Sequence, residues 1–318
     1  MPSQPKTLIT HTVSRSGAAA LREALTDRLD SISIEHTTTP PGTREAIVDA
    51  EIALTFGYDD AMLEAAQELR WLQALSAGVN SYDLEHLEAE DIILTNASGV
   101  HAQPIAEQVL GYMLMFDRRI HTGIKQQARD VWESYGAHEL RGKTVGIIGV
   151  GAIGTRIAEL ADALGVAPIG LKRDPTDAPD ILADVFGPDG LYEVLDRSDY
   201  VVLACPLTEE TRGMIGEAEL RTMPSHGVLI NIARGAIVKQ DELAEELQEG
   251  HIRGAALDVF EEEPLPADSP LWDLSNVVIT PHMAGSTPQY WDRAADLFAD
   301  NYERYQAGAF ESFENRIV

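Results

Sequence analysis

The sequence predicts an α/β protein of two doubly wound parallel-sheet domains, and three observations carry that prediction. The chain has 318 residues, about twice the usual size of one domain. Short apolar runs alternate with Ala/Leu/Glu-rich stretches, the pattern of parallel strands joined by crossover helices. A Gly-x-Gly-x-x-Gly turn stands directly between one such run and the helix after it, at 149–154.

In the first hundred residues the strands are TLIT (7–10), SISIE (31–35), EIALTF (51–56), WLQAL (71–75) and DIILTN (91–96). Helical stretches such as AAALREALTDRL and AMLEAAQEL separate them. One long helix is expected over about 101–121, with Ile105, Val109 and Met113 at helical spacing. The second domain opens at Lys143. Its six expected strands are TVGIIG, PIGL, DYVVLAC, HGVLINIA, GAALDVF and VVIT. From Thr287 the chain reads as one amphipathic helix and a tail.

Composition removes several function classes. The net charge is −28, so nucleic acid and anionic membrane surfaces are excluded as partners, since polyanions need a basic surface. No uncharged apolar run reaches the ~18 residues of a membrane span. MPSQPKTLIT lacks the apolar core of a signal peptide, and a cytoplasmic location is expected. Cys205 is the only cysteine, which excludes an internal disulfide and a four-cysteine zinc site; no metal is expected. Only five of the 24 basic residues are lysine. Carboxylate excess with scarce lysine points to a halophilic protein, because molar salt shortens the Debye length to about 3 Å and quiets self-repulsion.

The glycine turn has a specific chemistry. Gly149 permits the tight turn, Gly151 lets the backbone approach a pyrophosphate, and Gly154 lets helix and strand pack closely. The following helix offers free N–H groups and the positive end of its dipole. A dinucleotide is therefore the expected cofactor. The end of the next strand selects which one. Lys172 and Arg173 stand where a carboxylate would otherwise take the ribose hydroxyls. That pair suits a 2′-phosphate, so NADP is expected to be preferred and NAD still used. Asp174 is the ribose ligand if the loop is longer than this count assumes.

Three later strand ends each carry a chemically capable group: Arg234 in LINIARGAIV, Asp258 followed by Glu261, Glu262 and Glu263 in ALDVFEEEPLP, and His282 in VVITPHMAGST. Carboxyl ends of strands are where open α/β sheets bind ligands, so an arginine, a carboxylate and a histidine there point to catalysis.

Together with SAGVN (76–80), NASGVHAQPIAEQVLG (96–111) and CPLTEETRGMI (205–215), these blocks resemble the D-isomer-specific 2-hydroxyacid dehydrogenases, a family that includes glyoxylate and hydroxypyruvate reductases. The resemblance implies Arg234, Glu263 and His282 as catalytic residues. It implies a discontinuous, flavodoxin-like substrate domain, 1–98 with 287–318, and an inserted Rossmann domain, 99–286. The activity implied is reversible reduction of small 2-oxo acids to D-2-hydroxy acids. His282 gives the proton to the developing alkoxide, Glu263 favours the charged imidazole, and Arg234 holds the carboxylate and polarises the ketone. Backbone N–H groups of Gly78 and Val79 supply the other carboxylate contact. Toward the cofactor, the resemblance assigns Ala152 and Ile153 to the pyrophosphate, and Pro206, Leu207 and Thr211 to the adenine-ribose side. It assigns Ile232 and Asp258 to the nicotinamide end, with His282 and Gly285 also contacting the cofactor. Cys205 departs from the histidine frequent at its position, and reads as a buried strand-end residue. Phe56 and Tyr58 hint at an apolar substrate pocket. A homodimer is expected through about 101–140, on Met113, Met115, Phe116, Val131 and Trp132. The competing reading from another class is an NAD(H)-binding corepressor or sensor of the same fold.

Overall fold

The computed structural model describes residues 4–79 and 81–318; Asn80, the last residue of the SAGVN block, lies outside the described residues. The chain divides into two compact units, Met1–Val100 with Thr287–Val318, and His101–Ser286.

In the first unit the strands are β1 (Lys6–Ile9), β2 (Ser33–His36), β3 (Ile52–Thr55), β4 (Trp71–Ala74) and β5 (Ile93–Thr95). All pair in parallel, in the order β2-β1-β3-β4-β5, which is the flavodoxin-like winding. β3 and β4 are buried at every residue, and a strand covered on both faces reads as a continuous apolar run rather than an alternation. β2 lies at the edge, and its Ser-Ile-Glu-His alternates between exposed and half-buried. The helices Arg15–Arg28 and Tyr290–Gln306 share one core with this sheet. Trp71 is its centre. Its ring stacks on Phe298 at 4.8 Å, and its Nε1–H donates to Thr95 Oγ1 at 2.7 Å. That hydrogen bond lets the indole be fully buried.

The second unit contains β6 (Thr144–Ile148), β7 (Ala167–Leu171), β8 (Asp184–Phe186), β9 (Tyr200–Leu203), β10 (Val228–Asn231), β11 (Gly254–Leu257) and β12 (Val277–Ile279). The sheet is parallel throughout, in the order β12-β11-β10-β9-β6-β7-β8. This is the Rossmann order with a seventh strand added, and the winding reverses between β6 and β9. Seven strands replace the six expected. The extra one, β8, is a three-residue edge strand whose Asp-Val-Phe is exposed or half-buried throughout, so it lacks the apolar run that marked the other short strands.

The helix expected over 101–121 is two helices, Ala102–Asp117 and Ile120–Gln127. Asp117 causes the stop. It is fully buried, and its Oδ1 accepts from Lys143 Nζ at 2.8 Å and Arg253 Nη1 at 3.1 Å. Arg253 also donates to the Phe116 carbonyl. Arg119 then turns the chain with φ +52°. Two of the residues expected on an intersubunit surface are corrected here. Met113 and Phe116 lie in the core of the second unit, because they share the sheet-facing stripe of their helix with Ile105 and Val109. Among the described residues no helix is long and apolar enough to cross a membrane.

Candidate active site

The three glycines of the turn differ in what constrains them. Gly149 has φ +101°, and a Cβ there would lie 2.5 Å from the Cys205 nitrogen. A Cβ on Gly154 would lie 2.3 Å from the Gly149 carbonyl oxygen. Both are fixed by the protein's own packing. A Cβ on Gly151 would meet nothing within 4 Å. Its lack of a side chain therefore leaves room for something outside the fold, as close approach of a pyrophosphate requires. Gly151 precedes the helix Ala152–Ala163, which no side chain caps. The first-turn N–H groups, those of Ala152 and Ile153 among them, thus lack a side-chain acceptor and can receive an anion.

Lys172 and Arg173 follow β7 directly. Lys172 Nζ is paired with Asp177 Oδ2 at 2.8 Å and also donates to the Asp177 carbonyl, while Arg173 is exposed. Asp177 is a partner the sequence reading did not name. Asp174 is engaged in its own turn, where its Oδ1 accepts from the Thr176 hydroxyl and N–H. Those two bonds hold its carboxyl below the usual aspartate range.

After β9, Cys205 packs its backbone against the glycine turn. Burial pushes its thiol up to about 11, so it stays protonated, in keeping with a structural residue. Pro206 is exposed and Leu207 half-buried. Thr211 shapes this loop: its hydroxyl donates to the Pro206 carbonyl at 2.7 Å and accepts from Thr208 N–H at 2.8 Å.

Ile232, which is buried, and Arg234 follow β10. The Arg234 backbone carbonyl accepts from Asn231 Nδ2 at 3.1 Å, and its Nη1 donates to the Ala233 carbonyl at 2.6 Å. A Cβ on the next residue, Gly235, would lie 1.8 Å from the Phe260 carbonyl carbon. Only glycine lets the arginine loop lie this close to the loop after β11.

That loop carries three consecutive glutamates, and two of them have different partners. Glu261 Oε1 accepts from Gln240 N–H at 3.2 Å. Glu263 turns the other way: Oε1 accepts from Phe260 N–H at 3.0 Å, and Oε2 lies 2.7 Å from His282 Nδ1. Partial burial opposes ionisation of Glu263. The hydrogen bonds from His282 and Phe260, with the charges of His282 and Arg234, outweigh it and hold the carboxyl below its ordinary value. A carboxylate at Nδ1 fixes the ring so that Nε2 is the free nitrogen.

His282 has φ +49°, a conformation that costs a side-chain-bearing residue roughly 1 kcal/mol or more. Asp258 holds it there. This carboxylate is 2% exposed. Its Oδ1 accepts from Met283 N–H and its Oδ2 from Ala284 N–H, both at 2.9 Å, and its backbone carbonyl accepts from His282 N–H at 2.8 Å. Three residues after the histidine, the Gly285 carbonyl lies 3.0 Å from His101 Nδ1.

The glycine turn, Lys172–Arg173, Pro206–Leu207, Ile232–Arg234, Asp258–Glu263 and His282 thus all follow carboxyl ends of parallel strands in one sheet. The Glu263–His282 contact is direct. Gly78 and Val79 belong to the other unit, in the turn after β4, where the Gly78 carbonyl accepts from the Ser76 hydroxyl at 2.8 Å and the Val79 carbonyl from Tyr82 N–H at 3.0 Å. Also in that unit, Phe56 stacks with Tyr290, and the Tyr58 hydroxyl accepts from Asp83 N–H at 2.8 Å.

Residues 110–284 match the family model "D-isomer specific 2-hydroxyacid dehydrogenase, NAD binding domain". A glyoxylate reductase of Korarchaeum cryptofilum is 32% identical, over 96% of this chain and 94% of its own. A D-3-phosphoglycerate dehydrogenase of Methanocaldococcus jannaschii is 36% identical over 78% of this chain, and the match spans about half (47%) of that relative. The crystal structure of a D-isomer specific 2-hydroxyacid dehydrogenase from Xanthobacter autotrophicus Py2, in complex with NADPH and MES, superposes with a TM-score of 0.84. It is 27% identical, with 99% of this chain and 98% of that one covered. A family model over more than half of the chain, and a relative matched along almost all of it, place the chain in the D-isomer-specific 2-hydroxyacid dehydrogenase family.

Proposed function

We propose that this protein reduces small 2-oxo acids to D-2-hydroxy acids, reversibly, with NADPH preferred over NADH. The observation that carries the proposal is the 2.7 Å contact between His282 Nδ1 and Glu263 Oε2, at the strand-end edge that also holds Arg234 and the glycine turn. The glyoxylate reductases among its relatives favour a short substrate. The runner-up, a dinucleotide-binding sensor, has no need of a histidine oriented by a carboxylate.

When bound, the nicotinamide dinucleotide supplies the hydride. Gly149, Gly151, Ala152, Ile153 and Gly154 would hold its pyrophosphate, and Lys172 with Arg173 its 2′-phosphate. Pro206, Leu207 and Thr211 would face its adenine-ribose side, and Ile232, Asp258, His282 and Gly285 the rest. The protein's own groups do the remaining work. Protonated His282 donates from Nε2 to the oxygen that gains charge, as a general acid. Glu263 accepts at Nδ1 and keeps the ring oriented with Nε2 outward. The Arg234 guanidinium holds the substrate carboxylate and polarises the ketone, and Gly78 and Val79 N–H groups take the carboxylate's other oxygen.

The same reading gives a homodimer through the 101–140 region. Trp132 there is 100% exposed, and Ile120, Ile124 and Val131 are exposed as well; exposed large apolar side chains in one region support an interaction site. A halophilic, cytoplasmic protein accords with the charge of −28 and five lysines. Assaying glyoxylate, hydroxypyruvate and longer 2-oxo acids with both cofactors in high salt tests the proposal. Steady oxidation of NADPH is expected; binding without turnover across the panel refutes the enzyme and leaves the sensor.

A further inference from the structure

We propose that Thr280 and Tyr112 are positioning residues for His282, acting through a directed hydrogen-bond chain that ends on Asp258. The inference rests on the reading of His282 as the proton donor.

The histidine sits in an unfavourable backbone conformation, and a single buried carboxylate gathers the loop around it. Besides Met283 and Ala284 N–H, that carboxylate accepts from the Thr280 hydroxyl, whose Oγ1 is 2.5 Å from Asp258 Oδ1. The Tyr112 hydroxyl lies 2.5 Å from the same Oγ1. Proton counting fixes the direction. An ionised carboxylate only accepts, so Thr280 spends its one proton on Asp258. Tyr112 must then donate to Thr280. Tyr112 is 2% exposed, and burial raises its phenol above the ordinary tyrosine value despite hydrogen bonds to Thr280 and Gln108; it keeps the proton the chain requires. The polarity runs Tyr112 to Thr280 to Asp258, each donor strengthening the next.

Mechanically, the chain ties the loop after β12 to the helix Ala102–Asp117. Tyr112 projects from the same helix stripe as Val109, Met113 and Phe116, all in the unit's core. Thr280 is the residue immediately after β12, and its N–H donates to the Leu257 carbonyl at 3.0 Å. Asp258 therefore receives one donor from the strand end and two from beyond the histidine. The histidine's backbone between them is held from both sides. Losing the Thr280 donor would let Asp258 and the His282 backbone shift together, and displacements of about 1 Å at a reacting group can cost about a hundredfold in rate.

The test compares Thr280→Val, Thr280→Ser and Tyr112→Phe with wild type in the cofactor-loaded enzyme, using a 2-oxo acid that turns over. NADPH affinity is read by fluorescence and folding by thermal melting. Thr280→Val is expected to lower kcat by about ten- to a hundredfold, with KM for the acid and affinity for NADPH within about threefold. Thr280→Ser restores kcat to within about twofold of wild type, because it returns the hydroxyl without the methyl. Tyr112→Phe lowers kcat by a smaller factor, about three- to tenfold. A folded Thr280→Val with wild-type kcat overturns the inference, and so does a serine variant as impaired as the valine one. If the valine variant does not fold, Tyr112→Phe decides: unchanged kcat overturns the chain, a selective fall in kcat supports it. His282→Gln separates the two claims. If it abolishes turnover while the Thr280 and Tyr112 variants keep wild-type kcat, only the positioning chain fails; if it leaves turnover intact, the proposed function fails with it.

Discussion

Asp177→Asn should make the enzyme prefer NADPH more strongly. Lys172 is not a free cation: Asp177 Oδ2 stands 2.8 Å from its Nζ, with the lysine side chain 22% exposed and the aspartate side chain 86% exposed. A 2′-phosphate must share that ammonium or displace the carboxylate. A charge-assisted hydrogen bond contributes roughly 1.5–3 kcal/mol, whereas an exposed ion pair is worth about 0–1 kcal/mol. The carboxylate thus takes back a minor part of what the phosphate gains. At about 1.4 kcal/mol per factor of ten, removing it should lower the KM for NADPH by about threefold and leave that for NADH unchanged. Replacing Lys172 and Arg173 by alanine should do the reverse, raising the KM for NADPH tens-fold without touching NADH. Initial rates with both cofactors across a salt series measure this, and both effects should shrink toward about 1 M salt as the Debye length falls to about 3 Å. If Asp177→Asn changes neither cofactor and the double alanine variant harms both equally, the phosphate is not held here and Asp174 becomes the ribose ligand.

Other outcomes follow from the same geometry. His282→Gln should cost turnover by about 10²–10⁴-fold, the usual worth of a general acid, in single-turnover reduction of a 2-oxo acid. Glu263→Gln should keep more activity than His282→Gln, because it removes the group that orients the ring and not the proton donor. On the acid side, Glu263 is held below the usual glutamate value of 4.5. A depressed carboxyl contributes stability above its unfolded value and loses it as pH falls through its folded value. Its contact with His282 should therefore persist to pH values below 4.5, and a tight pair lost at neutral pH in chemical-shift titration would refute this. Gly151→Val and Gly154→Val should differ in kind. The first should keep the melting temperature while weakening NADPH binding; the second, whose Cβ would strike the Gly149 carbonyl, should melt at lower temperature. Trp132→Glu should turn a dimer into a 34.7 kDa chain by light scattering in high salt; a wild type that already runs at that mass refutes the dimer.

The layered fold and the edge that carries the site were legible because their signals are strong and local. Strands such as IALT, buried on both faces, announce themselves as apolar runs, and the glycine turn needs its spacing to exist at all. What escaped was set by distant partners. Nothing near Asp117 reveals that Lys143 and Arg253 bury it and end a helix there. The Asp-Val-Phe of β8, exposed or half-buried throughout, forms no apolar run. Met113 and Phe116 are as apolar as interface residues, and only the sheet beneath them decides that they are core. In the site, Arg234, His282 and Asp258 with the three glutamates behind it stood out as polar groups after apolar strands, and only the family resemblance pointed to Glu263. The particular glutamate among three that meets the histidine is settled by the Phe260 N–H, which turns Glu263 inward. Asp177 looked like one more surface acid in a chain of net charge −28. Thr280 could have been noticed as the hydroxyl that opens the TPHMAGST block, and Tyr112 as a phenol on an otherwise apolar stripe.

The discontinuous first unit has a consequence for how this chain must be made. Its core centres on Trp71, stacked on Phe298 at 4.8 Å and Tyr305 at 5.9 Å, and Arg28 of its first helix pairs with Asp296. More than two hundred residues separate these partners in the chain. The second unit, His101–Ser286, is continuous and can close its own sheet as soon as it leaves the ribosome. The first cannot. At synthesis rates of about 5–20 residues per second, its five strands wait on the order of ten seconds or more for residues Thr287–Val318, with Trp71 and its neighbours uncovered. Loop closure over so long a span adds little to the final free energy, since the entropy grows only with the logarithm of length. The burden is one of timing. During that interval an unfinished apolar sheet must be kept from its copies on neighbouring ribosomes, and the helix Tyr290–Gln306, made long after the strands, is the piece that ends the exposure.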